Sequence, residues 1–132
     1  MIRPLFSAAA LLLLAACGEG QSQASTDPYS GLSPEILAWR TDLEATHPAC
    51  STKLDGKGCQ SFEVTCKGSK TLTPADRASG ATAKVVAAMI FQGLGGPGGG
   101  QPGSAFAEFS KTGGEWTRIA TAPVNLATCA PA

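Results

Sequence analysis

An apolar stretch near the amino terminus limits which part of the chain can fold as a domain. Residues 5–16 are apolar apart from Ser7, and Arg3 is the one positive charge before them. A charged start followed by a short apolar run is the pattern of a secretory signal peptide. The run has about twelve residues, whereas a transmembrane helix needs roughly twenty. We therefore expect residues 1–16 to serve export and to be removed from the mature protein.

The end of this stretch carries a second pattern. The run Leu14-Ala15-Ala16-Cys17 resembles the lipobox of bacterial lipoproteins, in which small residues fit the peptidase cleft and the cysteine thiol accepts a diacylglyceryl group. The resemblance covers only the first seventeen residues. It implies cleavage before Cys17, lipidation of Cys17 and anchoring to a membrane by two or more acyl chains, each methylene contributing about 0.8 kcal/mol. The alternative is an ordinary signal peptide followed by an incidental cysteine.

The residues after Cys17 bear on the location of such a lipoprotein. An aspartate after the cysteine retains a lipoprotein in the inner membrane under the enterobacterial sorting rule, and this chain has Gly18 there. The expected location is therefore the cell envelope, with the outer membrane favoured over the inner membrane. Residues 17–31 are polar and predict a lipidated, flexible tether with a span of about 20 Å. The folded domain should then comprise residues 32–132.

The charge balance argues against some partners. The chain has ten basic and ten acidic residues, whereas a nucleic-acid-binding protein needs a basic face. The same balance argues against electrostatic binding to anionic lipid headgroups. The length is that of a single domain with a modest core. We therefore expect the membrane as a partner through the lipid anchor, an envelope protein or cell-wall component as a further partner, and no nucleic acid.

Four of the five cysteines constrain the fold. Beside Cys17 the chain contains Cys50, Cys59, Cys66 and Cys129. An even number of cysteines in an exported chain predicts two disulfides. If residues 60–66 form a strand, Cys59 and Cys66 lie about 23 Å apart, too far for a disulfide. We favour Cys50–Cys59 with Cys66–Cys129, and Cys50–Cys66 with Cys59–Cys129 stays open. The absence of a C-x-x-C spacing argues against a zinc site.

Two segments have helical patterns. Ser33 is a good N-cap and Pro34 suits the first helical position, and Pro48 should end that helix near His47. Its apolar residues fall on one stripe: Ile36, Trp39 and Leu43. The sequence Thr73-Pro74-Ala75-Asp76 resembles a capping box and predicts a short helix, which Gly80 should end.

Three segments predict strands. Residues 61–66 alternate, so Phe62, Val64 and Cys66 should face one way. Residues 83–92 are mostly apolar, and their periodicity does not decide between a helix, which the alanines favour, and a strand, which the β-branched residues favour. We predict a strand because the following strands need a partner, and a helix stays open. Residues 105–109 and 115–119 flank a glycine turn and predict a hairpin. The expected fold is α+β: an N-terminal helix packed on a small antiparallel meander sheet of three or four strands, stapled by disulfides, with a Gly-rich loop at 93–103.

No motif indicates a cofactor or a catalytic residue. The Gly-rich loop lacks the Lys-Ser or Lys-Thr pair of a phosphate-binding loop and is interpreted as a connection. His47 is the single histidine and is expected to interact with a helix end rather than to form a triad. Trp39 and Trp116 are expected in the core, although a sugar- or peptide-binding face is the alternative. Four carboxylates are candidates for glycosidase chemistry, but each is expected at an exposed strand face, cap or turn: Glu63, Asp76, Glu108 and Glu115.

A mild basic cluster suggests a further hypothesis. It consists of Lys67, Lys70, Arg77 and Lys84, with Ser79-Gly80 inside it. Small periplasmic lysozyme inhibitors use a Ser-Gly loop and a nearby basic residue, so inhibition through residues 76–84 or 93–103 is an alternative. A small envelope hydrolase is a third hypothesis. The leading expectation is a lipid-anchored envelope lipoprotein that binds or supports another component without being an enzyme.

Overall fold

The structure, a computed structural model, describes residues 27–95 and 100–132. Within these ranges there are two helices, α1 (Ser33–Thr46) and α2 (Pro74–Ala78), and a 3-10 turn at Pro48–Cys50. The strands are β1 (Cys59–Ser69), β2 (Ala81–Gly93), β3 (Pro102–Thr112) and β4 (Glu115–Ala120). They form one antiparallel sheet in the order β1-β2-β3-β4. The α+β class and the antiparallel meander are confirmed.

Several predictions concern residues outside the described ranges. The predicted signal peptide, Cys17 and most of the tether precede residue 27, and residues 96–99 belong to the Gly-rich loop. Among the described helices, none has the length and apolarity that crossing a membrane requires.

Helix α1 packs on one face of the sheet. Trp39 is 4 % exposed and its ring meets Phe109 of β3 edge-on, with 5.7 Å between ring centroids. Ile36 and Leu43 pack against the same core, so the predicted stripe is the buried side of α1. The predicted N-cap at Ser33 is wrong, because Leu32 occupies the cap position without a side-chain hydrogen bond. Leu32 is 1 % exposed, and its burial in the core outweighs the preference for a polar cap.

Strand β2 is apolar on both faces because both faces are covered. Val85, Met89 and Phe91 face α1 and belong to the main core. Val86 and Ala88 face the opposite side and pack with Cys129 of the carboxyl-terminal segment. A central strand covered on both sides reads as a continuous apolar run. The strand prediction for residues 83–92 is therefore confirmed.

Strand β1 departs from the strict alternation expected of it. Its pairing with β2 shifts between Gln60 and Glu63 and again between Val64 and Cys66. Phe62 and Val64 pack on the main core, whereas Cys66 packs on the opposite face. The prediction that these three residues share a face is wrong for Cys66, because a bulge inserts one residue and reverses the faces beyond it.

Two disulfides staple the fold. Cys50 is bonded to Cys59 and Cys66 to Cys129, with Cα–Cα distances of 5.0 and 5.6 Å. This is the pairing favoured from the sequence. The bulge in β1 makes the second disulfide possible, because it turns Cys66 toward the face on which residues 121–131 lie. The β3–β4 hairpin turns at Gly113 and Gly114, whose φ values of +59° and +84° require glycine-like freedom.

Candidate functional site

Four charged side chains meet at one end of the sheet, and we call them the charge cluster: Lys70, Asp76, Lys84 and Glu108. The Lys70 Nζ lies 2.8 Å from Glu108 Oε2. The Lys84 Nζ lies 2.8 Å from Asp76 Oδ1 and 3.3 Å from Glu108 Oε1. Glu108 is only 8 % exposed. The expectation that Glu108 lies on an exposed strand face is therefore wrong, since two lysines allow its burial as an ion.

Local structure positions each member of the charge cluster. Asp76 is held by the capping box of α2, in which its Oδ2 accepts the Thr73 N–H at 2.8 Å and its own N–H donates to Thr73 Oγ1. Strand pairing places Val86 opposite Glu108, so Lys84, two residues earlier, lies on the same face as Glu108. The Lys70 N–H donates to the Lys84 carbonyl at 2.8 Å, which brings the end of β1 to the same point.

The surrounding groups favour the charged forms of Asp76, Lys84 and Glu108. The hydrogen bond from Lys84, helped by those from Thr73, lowers the pKa of Asp76 to about 2. Burial by itself would raise the pKa of Glu108, but hydrogen bonds from Lys70 and Lys84 outweigh it and hold that pKa below its usual range. The hydrogen bond to Asp76 raises the pKa of Lys84 above its usual value. A glycosidase acid needs a raised pKa, so neither carboxylate is suited to donate a proton at neutral pH.

A cavity of about 540 Å³ adjoins the charge cluster, and we call it the basic pocket. Segments 27–28, 69–72 and 82–84 contribute to its wall, together with α2 and the end of β3. Its cationic side chains are Lys70, Arg77, Lys84 and Lys111, and its hydroxyls are Ser69, Thr71 and Thr82. Asp27 also lines it, and its Oδ1 accepts the Tyr29 N–H at 2.8 Å.

Two of these cations carry charge that the cluster does not neutralise. Within residues 27–95 and 100–132, neither Arg77 nor Lys111 forms an ion pair. Arg77 is exposed on α2. The Lys111 Nζ lies 5.6 Å from the Trp116 ring centroid and donates to the Ser30 carbonyl at 3.3 Å. The pocket therefore presents excess positive charge to a ligand, although the whole chain is neutral.

The structure changes the membership of the basic cluster inferred from sequence. Lys70, Arg77 and Lys84 are brought together, but Lys67 lies over the Tyr29 ring at 4.9 Å instead of lining the pocket. Lys111 takes its place and was missed. In an antiparallel meander the end of β3 lies beside the start of β2, and Ala83 is paired with Lys111. This register was the signal that could have predicted the fourth cation.

The other residues considered for catalysis or binding lie outside the basic pocket. His47 Nδ1 accepts the Ala49 N–H at 3.1 Å, and its ring meets Phe91 edge-on at 4.8 Å. Trp39 and Trp116 belong to the main core, as expected. Glu63 and Glu115 are exposed. No group of three or more histidine, cysteine or acidic residues suited to a metal ion occurs in the part of the chain that the structure describes.

Residues 76–84 do not form a continuous exposed loop. They divide between the end of α2 and the start of β2, and the Asp76–Lys84 ion pair ties the two parts together. The Ser79 hydroxyl donates to the Asp76 carbonyl at 2.7 Å, and Gly80 has a φ of +89°. Ser79-Gly80 thus ends the helix.

Comparison of the chain with protein-family models, with curated proteins and with solved structures gave no match.

Proposed function

We propose that the chain is a lipid-anchored lipoprotein of the bacterial cell envelope, with the outer membrane favoured, and that it acts as a non-enzymatic binding module for an anionic group of an envelope partner. The observation that carries the binding part is the basic pocket, where Arg77 and Lys111 remain without an ion pair among the described residues. A concave site with converging cations concentrates anionic ligands by electrostatic attraction.

Binding fits this site better than catalysis. Asp76 and Glu108 are the carboxylates of the charge cluster beside the pocket, and the hydrogen bonds from the lysines hold both pKa values low. General acid catalysis needs a group whose pKa lies near the working pH. The ion pairs of the charge cluster instead hold Lys70 and Lys84 in the wall of the pocket.

The anchor part of the proposal has separate support. The lipobox resemblance at Leu14–Cys17 predicts lipidation. Cys50, Cys59, Cys66 and Cys129 are all paired in the structure, and disulfides persist in oxidising compartments such as the periplasm. An exported, lipid-anchored chain would be in such a compartment.

The anchor is tested by mass spectrometry of the protein purified from cell envelopes with a carboxyl-terminal tag. We expect a mature chain that begins at Cys17 and whose mass includes a diacylglyceryl group. The Cys17→Ser variant should lack the lipid, and its release from membranes should not require detergent. A mature chain with an unmodified Cys17, or one that begins at Gly18, would contradict the anchor.

The binding role is tested by crosslinking in intact envelopes. We expect the native protein to retain one envelope component in stoichiometric amount, and an Arg77→Gln/Lys111→Gln variant to lose it. Arg40→Gln/Lys57→Gln is the matched control, because it removes the same two charges from exposed positions outside the pocket. Equal retention by the pocket and control variants would show that the basic pocket does not bind the partner.

A further inference from the structure

We infer that the basic pocket is a binding site for a phosphorylated polyol, with the phosphate held by Arg77 and Lys111. This inference deepens the proposed function and rests on it for the source of the ligand. The planar guanidinium of arginine donates two parallel hydrogen bonds to phosphate oxygens, and a lysine ammonium adds a point charge. Arg77 extends from α2 and Lys111 from the end of β3, so the two cations approach the cavity from different elements.

The rest of the pocket fits a hydroxylated ligand. The cavity of about 540 Å³ is larger than a phosphate group alone needs and lies in the range of small-molecule sites, about 300–1,000 Å³. Ser69, Thr71 and Thr82 contribute hydroxyls that can donate to or accept from ligand hydroxyls. Asp27 also lines the cavity, and its negative charge disfavours a second anion beside it. A phosphate joined to a polyol matches this division of charge and polarity.

The position of the pocket in the chain points to the membrane surface. Asp27 and Pro28 line the pocket, and Asp27 follows Cys17 by ten residues. Covalent geometry limits the distance over ten residues to at most about 35 Å. A lipid on Cys17 would therefore hold the pocket close to the headgroup layer, where glycerol phosphate groups are abundant. The same chemistry is also offered by a free phosphorylated polyol.

Local charge overrides the neutral charge balance of the whole chain in this setting. At physiological ionic strength, charges act over about 8 Å. A ligand in the basic pocket therefore responds to Arg77 and Lys111 more than to distant acidic residues, whereas Lys70 is paired with Glu108. A neutral net charge therefore does not prevent an anionic headgroup from binding in a pocket where the fold has gathered cations.

The test is a titration of the full mature protein, purified from envelopes in a nonionic detergent and labelled with ¹⁵N. The soluble probes are inorganic phosphate, sn-glycerol 3-phosphate and, as the competing anion, acetate. We expect glycerol phosphate to shift the Arg77 Nε–H resonance and the amides of residues 69–71 and 82, and to bind more tightly than phosphate or acetate. The Arg77→Gln and Lys111→Gln variants should each weaken binding about tenfold, while Arg40→Gln and Lys57→Gln should leave it unchanged.

A second arm identifies the source of the ligand. The protein is placed in phosphatidylcholine nanodiscs with or without phosphatidylglycerol. If the pocket resonances shift in nanodiscs that contain phosphatidylglycerol, without soluble glycerol phosphate, the ligand is a lipid headgroup. Pocket shifts that appear only after soluble glycerol phosphate is added support the free source.

Three results would overturn the assignment. They are the absence of pocket shifts with every phosphate probe, binding of acetate as tight as that of glycerol phosphate, and equal affinity in the pocket and control variants. Failure of the lipid anchor is distinguishable from these, because the soluble titration can then be repeated in detergent-free buffer and its outcome depends on the pocket alone.

Discussion

The Cys66–Cys129 disulfide should contribute more to stability than any other single covalent feature of the fold. It joins residues separated by 63 positions, whereas Cys50–Cys59 spans 9. A cross-link restricts the unfolded chain by an amount that grows with the logarithm of the loop length. This gives about 4 kcal/mol for the long loop and about 2.5 kcal/mol for the short one at 25 °C. Removal of the long loop's disulfide should therefore cost about 4 kcal/mol in the free energy of unfolding.

The perturbation is the double variant Cys66→Ala/Cys129→Ala, and the assay is urea unfolding in oxidising buffer. Trp39 and Trp116 are both buried, so their fluorescence reports the loss of the main core. We expect the midpoint to fall and the m-value to rise, because an unfolded chain without the long cross-link exposes more surface to urea.

Packing of the carboxyl-terminal segment must be separated from the effect of the cross-link. Val124 packs on the same small cluster as Cys129, so Val124→Ala removes apolar contact there while keeping the disulfide. This control should cost about 1 kcal/mol or less, since the side chain is only partly buried, and its m-value should equal that of the wild type. A double cysteine variant that costs no more than Val124→Ala, with an unchanged m-value, would refute the loop-entropy reasoning.

Three further predictions concern the site and the sheet. Acid should destabilise the protein as the pH falls from about 4 to about 2: the pKa of Asp76 is depressed from 3.8 to about 2 in the folded state, so the unfolded chain binds its proton first. In the Asp76→Asn variant, the free energy of unfolding should depend less on pH over this window. An unchanged slope would contradict the depressed pKa of Asp76. Thr73→Ala should cost about 1 kcal/mol in urea unfolding by removing the N-cap, and a loss equal to that of the exposed Ser104→Ala would contradict the capping role. Gly103→Ala should lower the free energy of unfolding by about 1–3 kcal/mol. The new Cβ would lie 2.2 Å from the ring of Phe91, which is 3 % exposed. An unchanged thermal unfolding midpoint would show that the ring has room to move.

Much of the fold was predictable because its signals are local. The capping box at Thr73–Asp76 depends on side-chain to backbone hydrogen bonds within four residues, and the structure contains both of them. The glycine pair at 113–114 determines a hairpin through its own backbone freedom. The apolar stripe of α1 follows from helical periodicity. None of these features requires knowledge of distant parts of the chain.

Errors arose where a distant contact outweighed a local preference. Ser33 has the better capping side chain, but burial of Leu32 in the core starts the helix one residue earlier. Cys66 follows the alternation of Phe62 and Val64 in sequence, yet a bulge turns it to the opposite face. Glu108 has the charge of an exposed residue, but Lys70 and Lys84 from neighbouring segments compensate its burial.

The sequence by itself determined the order of the elements, because their patterns are local. It favoured a strand over a helix at residues 83–92 and one cysteine pairing over another, and the structure decided both. Only the tertiary structure decided the site. Lys70, Arg77, Lys84 and Lys111 come from four separate elements or connections, and they meet because the sheet register and the capping of α2 bring their backbones together. A chain with balanced charges thereby acquires a pocket with excess positive charge. Electrostatic attraction depends on distance in space, and separation along the sequence does not specify that distance.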